Sequence, residues 1–289
     1  MQKRYIGVLV TAFVCIILII TYVTLTPSGS PKVFDTLGLD TSALNTTIPV
    51  STEKVRPEQI AIVMAYDNYS PVYVPKTVDN KKEYAKYHGY KIFVQEIEQS
   101  ALHASWSKIT YMKQVMEENP HIEWFWWIDL DSIIMEPTIP LEKQVLDPRK
   151  IVNYANKDVI ISWDCNGMNT GSFFLRNRPW THDFLNMMVE YSTYDPSYYG
   201  EQRVMQRVYR KDQTIVDHFS FPILRQFGAA LEHKCDLDYG DWQSIHLYHP
   251  GDFLVHMTNC EHITDCEDKF HDLWEKRKML PKANIDSEN

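Results

Sequence analysis

The chain has 289 residues, a net charge of −9, 44% hydrophobic and 13% aromatic residues. That balance argues against a nucleic-acid binder, because affinity for a phosphate backbone needs clustered Lys and Arg. It leaves room for a nucleotide held through a metal, since the cation supplies positive charge locally. The first element is an uncharged run from Tyr5 to Leu25, dominated by Val, Ile, Leu and Phe. Roughly 20 apolar helical residues span a bilayer core. Lys3 and Arg4 precede the run and Lys32 is the first basic residue after it. This predicts a cytoplasmic tail (1–4), an uncleaved signal-anchor (5–25) and a lumenal body. A cleaved signal peptide has a shorter apolar core and a small-residue cleavage pattern, which Thr21 to Thr26 lacks.

Residues 26–57 are rich in Thr, Ser and Pro without a sustained apolar period, and are expected to form a stem. Cys165, Cys235, Cys260 and Cys266 give the body an even number of cysteines in a compartment that permits disulfides. No C-x-x-C pair is present to suggest zinc. Asn45-Thr-Thr and Asn68-Tyr-Ser are glycosylation sequons, the second followed directly by Pro71.

The body, 58–276, opens with an apolar strand at Gln59–Tyr66. Next come a surface helix over Val74–His88, stopped by Gly89, and a strand at Tyr90–Gln95. A helix over Trp106–Glu118 carries Ile109, Met112, Val115 and Met116 on one face. Strands follow at Trp124–Ile128 and Val159–Trp163, and a helix at Gln202–Tyr209. The alternation predicts an α/β fold with a mixed, mostly parallel sheet. Residues 277–289, charged and with a polar end, are expected to be a flexible tail.

The third strand runs straight into Asp129-Leu-Asp131. Ligands of open α/β sheets bind at the carboxyl ends of strands, and alternate strand residues point the same way. Two carboxylates facing one site there suit Mg²⁺ or Mn²⁺. The triplet alone also fits two solvated aspartates at a strand end.

The surrounding segments narrow the choice. Glu123-Trp-Phe-Trp-Trp-Ile-Asp-Leu-Asp-Ser-Ile-Ile-Met135 resembles the metal-site segment of glycosyltransferase family 34. This fungal galactosyltransferase/mannosyltransferase family also contains plant xyloglucan xylosyltransferases. His88-Gly-Tyr90, Ser105-Trp-Ser-Lys-Ile109, Asn169-Thr-Gly-Ser-Phe-Phe-Leu-Arg-Asn177 with Trp180, Glu201-Gln202, and Gly251-Asp-Phe-Leu-Val-His256 with Cys260 resemble further family elements in the same order. Together they cover about residues 58 to 265.

The resemblance implies a GT-A type nucleotide-sugar-binding fold behind one transmembrane helix. It also implies a Mn²⁺-dependent (or Mg²⁺-dependent) retaining transfer and a type II Golgi membrane location. Asp129, Asp131 and His256 match the metal ligands. Without the resemblance, His256 is one of 11 histidines, in an apolar stretch where a hydrogen-bonded core role fits equally. Asn169, Thr170 and Gly171 are expected to line the sugar pocket, or to form a β-turn, with Asp164 beside them. Lys108 is a candidate for donor phosphate, and Asp252 for orienting His256 or closing a turn. For catalysis, Gln202 suits front-face departure with electrostatic support, whereas Glu201 is able to attack as a nucleophile.

The expected function is transfer of galactose from UDP-galactose, or of mannose from GDP-mannose, to glycoprotein glycans. Expected partners are the nucleotide-sugar donor, the glycan acceptor, the membrane and other glycosyltransferases in a complex. Leu130, Asn259 and Glu261 depart from the family pattern. They keep open an alternative, a non-catalytic scaffold subunit of a mannosyltransferase complex.

Overall fold

A computed structural model describes residues 54–66, 73–97, 104–164, 166–197, 199–231, 245–258 and 265–281. The predicted anchor, nearly all of the stem, both sequons, Cys165, Cys235, Cys260, Asn259 and Glu261 lie outside the described residues. Among the described residues no helix is long and apolar enough to cross a membrane.

Strand β1 (Ile60–Tyr66) is buried at every position but its last, as a strand covered on both faces must be. Helix α1 (Val74–His88) ends at Gly89, whose φ of 79° is left-handed and lets its N–H reach Ala85 O. Strand β2 (Lys91–Glu96), helix α2 (Ala104–Glu118) and strand β3 (Trp124–Ile128) follow. Both β2 and β3 pair in parallel with β1. Beyond β3 lies β6 (Gly167–Arg176), which is antiparallel both to β3 and to β5 (Val159–Asp164). The two-residue strand β7 (Phe219–Ser220) closes the edge in parallel with β5. The order is β2-β1-β3-β6-β5-β7, and β6 alone runs against the others. The sheet is therefore mixed.

Strand alternation sends successive side chains to opposite faces. In β3 this splits the Trp-Phe-Trp-Trp run. Trp124, Trp126 and Ile128 join Tyr84 and Ala85 of α1, while Phe125 and Trp127 join Ile109, Met112, Val115 and Met116 of α2. The second face also receives helices α4 (Pro179–Tyr191) and α5 (Gly200–Lys211), whereas α3 (Leu141–Gln144) and α6 (Gln213–Val216) are single turns in the connections. The first is covered by a small sheet of order β4-β9-β8: β4 (Ser132–Ile134), β9 (Leu254–His256) and β8 (Ala229–Ala230). Helix α7 (Cys266–Lys276) seals that layer through Phe270 and Leu273, and its Cys266 is disulfide-bonded to a cysteine outside the described residues.

Two features differ from the sequence reading. The reversal between β5 and β6 falls at residues 165–166, since Asp164 pairs with Gly167. Asn169, Thr170 and Gly171 are therefore strand residues and not a turn. Gly167 takes the strain, with φ 119°. The first residues of the predicted tail are also engaged: Lys278 N–H donates to Met135 O at 2.9 Å, and its ammonium meets Glu136 at 2.8 Å.

At the far end of β6, Arg176 lies between the rings of Trp124 and Tyr154, 5.3 and 5.1 Å from their centroids. It donates to Glu123 Oε1 at 2.6 and 2.9 Å. Breaking a buried ion pair leaves one charge uncompensated. Arg176→Leu is expected to lower the unfolding free energy of the body by about 2 kcal/mol, less than for a fully buried pair because Glu123 is partly exposed. Urea denaturation reads this directly, and an unchanged midpoint would mean that the pair contributes nothing.

Candidate metal and donor site

The apolar run of β3 stops at Ile128, and Asp129 begins the crossing from the large sheet to the small one. Asp129 N–H donates to Gly171 O on β6 at 2.8 Å, the chain turns, and Ser132 opens β4. The acid pair thus occupies a tight turn bridging two sheets, not successive positions of one strand. It sits at the carboxyl ends of β3 and β5, where α/β sheets hold ligands.

His256 arrives through the small sheet. Antiparallel pairing of β4 with β9 sets Ser132 opposite His256, and Met257 N–H donates to Asp131 O at 2.9 Å. His256 Nε2 lies 3.1 Å from Asp131 Oδ1. One ligand atom each from Asp129, Asp131 and His256 falls within 4.8 Å of the others. Gly171 explains how the ring fits, since a Cβ there would stand 2.1 Å from His256 Cε1. Only glycine lets the imidazole lie against β6.

On the other layer Lys108 of α2 is buried. Its Nζ stands 3.3 Å from Asp129 and 3.4 Å from Glu201, and donates to Thr170 O at 3.1 Å. Burial pulls the Lys108 pKa down, but the Asp129 and Glu201 carboxylates raise it more, so it is a firm cation. Glu201, at the start of α5, is almost fully buried and accepts from Thr170 Oγ1 at 3.0 Å. Gln202 follows it, half-buried, with Oε1 3.4 Å from the same hydroxyl. Trp127 Nε1 donates to Asp129 Oδ1.

The remaining candidates divide. Asn169 Nδ2 donates to Asp164 Oδ2 at 2.9 Å and its Oδ1 accepts from Gly171 N–H at 2.9 Å, tying Asp164 and Asn169 to the site through β6. Asp252 is held elsewhere: Arg225 grips its carboxylate at 2.7 and 2.9 Å and His249 N–H donates to it at 2.8 Å. Its partners among the described residues do not include His256.

One residue of the site escapes sequence reasoning. Lys81 of α1, read there as part of a surface helix, is fully buried, and its Nζ donates to Leu130 O at 3.2 Å and to Ser132 O. Burial lowers its pKa to about 7, against the pull of Asp131 and Asp129. The signal was its position: Val74, Thr77, Val78, Lys81, Tyr84 and Ala85 form one buried stripe at helical spacing.

The donor set suits a divalent cation. Two carboxylates and an imidazole are hard to borderline ligands. Burial pushes the Asp131 carboxyl up, but neighbouring His256, Lys81 and Lys108 hold it below the usual range, so it stays ionised. His256 Nδ1 is buried without a partner among the described residues. Its Nε2 faces Asp131, ready to carry either a proton or a metal.

Residues 58–161 and 149–267 match the galactosyl transferase GMA12/MNN10 family. The probable alpha-1,6-mannosyltransferase MNN10 of Saccharomyces cerevisiae is 29% identical over 220 residues, covering 66% of this chain and 56% of that protein. An uncharacterised alpha-1,2-galactosyltransferase of Schizosaccharomyces pombe is 29% identical over 232 residues, covering 68% and 65%. The chain thus spans less than two thirds of the length of either relative. Among solved structures, a glycosyltransferase involved in glycosylation of the major capsid of PBCV-1 superposes with a TM-score of 0.55 at 17% identity, over 74% of this chain and 98% of that one. The fold is that of GT-A-like glycosyltransferases.

Two outcomes follow from the His256 environment. Burial lowers the imidazole pKa but the Asp131 and Asp129 carboxylates raise it further, above the usual 6.5. The metal-free fold therefore gains from the Asp131–His256 pair fully below pH 6.5, and loses that gain as pH rises through the folded pKa. A cation needs the unprotonated ring, so its binding strengthens as that proton leaves. Calorimetric titration with Mn²⁺ is expected to give tighter binding at pH 8 than at pH 6, with proton release; equal affinity would remove His256 from the ligand set. Gly171→Ala forces the ring aside and is expected to weaken Mn²⁺ binding by about 10-fold or more, with the cation-free fold retained by circular dichroism.

Proposed function

This chain belongs to the galactosyl transferase GMA12/MNN10 family, and we propose that it is a retaining, Mn²⁺-dependent α-hexosyltransferase of the Golgi membrane. It moves galactose from UDP-galactose or mannose from GDP-mannose onto glycoprotein glycans. The reading rests above all on Asp129, Asp131 and His256 gathered within 4.8 Å beside the buried cation Lys108. Imidazole beside two carboxylates favours Mn²⁺ over Mg²⁺, which prefers all-oxygen sites and retains several waters. The type II topology and lumenal location rest on the uncharged run from Tyr5 to Leu25 behind Lys3 and Arg4.

When bound, the cation offsets charge developing on the departing diphosphate. Asp129 and Asp131 orient it from a turn fixed to both sheets. Glu201 is almost fully buried, with Oε1 at Lys108 and Thr170 and Oε2 partnerless among the described residues, and this enclosure favours it as the group that positions Lys108 over one that attacks the sugar. Gln202 is the more open of the two, and an amide is a poor nucleophile. The pair therefore suits departure and attack on one sugar face, with the Gln202 carbonyl supporting positive charge at the anomeric carbon.

The test is a donor screen on the protein with UDP-galactose, UDP-glucose, UDP-xylose and GDP-mannose, mannosides as acceptors, and either Mn²⁺ or EDTA. Turnover of one donor with Mn²⁺ and none with EDTA is expected. Asp131→Asn removes ligand charge at constant volume and is expected to cut turnover about 1000-fold, the several kcal/mol a metal contributes to charge stabilisation. A folded protein that turns over no donor would instead support a scaffold role, with Asn259 and Glu261 the first residues to revert.

A further inference from the structure

The acid turn is gripped from behind by two adjacent residues of α1. Asn80 Nδ2 donates to Ile134 O at 3.2 Å, and its Oδ1 accepts from Ile134 N–H at 2.9 Å. This is the pairing that a neighbouring strand would make, so Asn80 completes the edge of β4 that β9 leaves open. One residue on, Lys81 donates to Leu130 O and Ser132 O, the carbonyls that flank Asp131. Both side chains are buried. Four backbone groups between residues 130 and 134 are therefore fixed by one turn of a helix lying about 50 positions earlier in the chain.

Carbonyls buried in a turn need donors, but a neutral donor would suffice. A fully buried lysine is costly to place, and this one reaches the carbonyls on both sides of Asp131. Here the Asp131 and Asp129 carboxylates pull its pKa up against burial, and its Nζ is held at the backbone of their turn. It reaches neither by a hydrogen bond, its donors being turned to the backbone. The Lys81 amine thus restrains the turn from both sides of Asp131 without occupying the ligand oxygens of either acid.

We propose that Asn80 and Lys81 form a clamp that positions Asp131 against His256 and thereby sets the affinity of the cation site. They are positioning residues, not groups that touch the donor. The inference rests on the metal-site reading above. It extends that reading to a segment whose charged residues otherwise look like the solvated face of a helix.

The test is Mn²⁺ titration by calorimetry on wild type, Lys81→Met and Asn80→Ser, with urea denaturation of each metal-free protein. Methionine keeps the unbranched stem of lysine without its ammonium and belongs in an apolar stripe, so K81M is expected to fold, with a urea midpoint lowered by the two buried carbonyls left without a donor. Its Mn²⁺ affinity is expected to fall between about 10- and 100-fold, the usual cost of losing a residue that orients metal ligands. In activity assays the Mn²⁺ concentration for half-maximal rate is expected to rise by the same factor, while kcat and donor KM at saturating Mn²⁺ return close to wild type. A purely structural role would move the urea midpoint and leave the affinity alone. If folded K81M binds Mn²⁺ as wild type does, the proposal is overturned. Should K81M not fold, N80S, whose hydroxyl cannot span both groups of Ile134, is judged by the same affinity criterion. Wild type that binds no Mn²⁺ would instead remove the metal-site reading itself.

Discussion

Three carboxylates, those of Asp129, Asp131 and Glu201, converge between two layers of the fold, and the site is organised by how their repulsion is offset. Charges taken out of water are costly unless paired. Lys108 answers Asp129 and Glu201 from the α2 side, while His256 answers Asp131 from β9. Asp129 and Asp131 keep 28% and 24% of their side-chain surface open, whereas Glu201 keeps 1%. Asp129 and Asp131 are thus the solvent-reachable pair, and Glu201 is enclosed by the scaffold. Burial thus distinguishes acids that look alike in the sequence.

Much of the frame was legible because burial leaves a periodic trace. The apolar runs at Ile60–Tyr66 and Trp124–Ile128 are central strands, and the Ile109–Met116 face of α2 meets the core as its spacing requires. The small sheet left no such trace. Its strands are two or three residues long, too short for any period to register. Asn169 to Gly171 misled for a related reason: an Asn-Thr-Gly triplet is ordinary turn chemistry, and only pairing with β3 and β5 makes it strand.

The site was legible where ligand chemistry is written in residue type and obscured where it depends on long-range contact. The acid pair and its imidazole partner stand out by resemblance to a family. That Gly171 is needed by a histidine far along the chain is visible only once β6 and β9 lie side by side. Lys81 is the sharpest case. Lysine is so rarely buried without a partner that its place on an apolar stripe is easily passed over, and its function lies in backbone carbonyls that no sequence pattern displays.

The reversed strand β6 has an architectural consequence. Because it alone runs against its neighbours, the hairpin at residues 165–166 that begins it opens at the same end of the sheet as the acid turn that follows β3. The β5–β6 reversal and the acid turn therefore stand at one end of the sheet but belong to separate connections, joined by the Asp129 N–H bond to Gly171 O and by the packing of His256 against Gly171. Change at the reversal is thus separated along the chain from change at the acid turn, although both bear on the same end of the sheet.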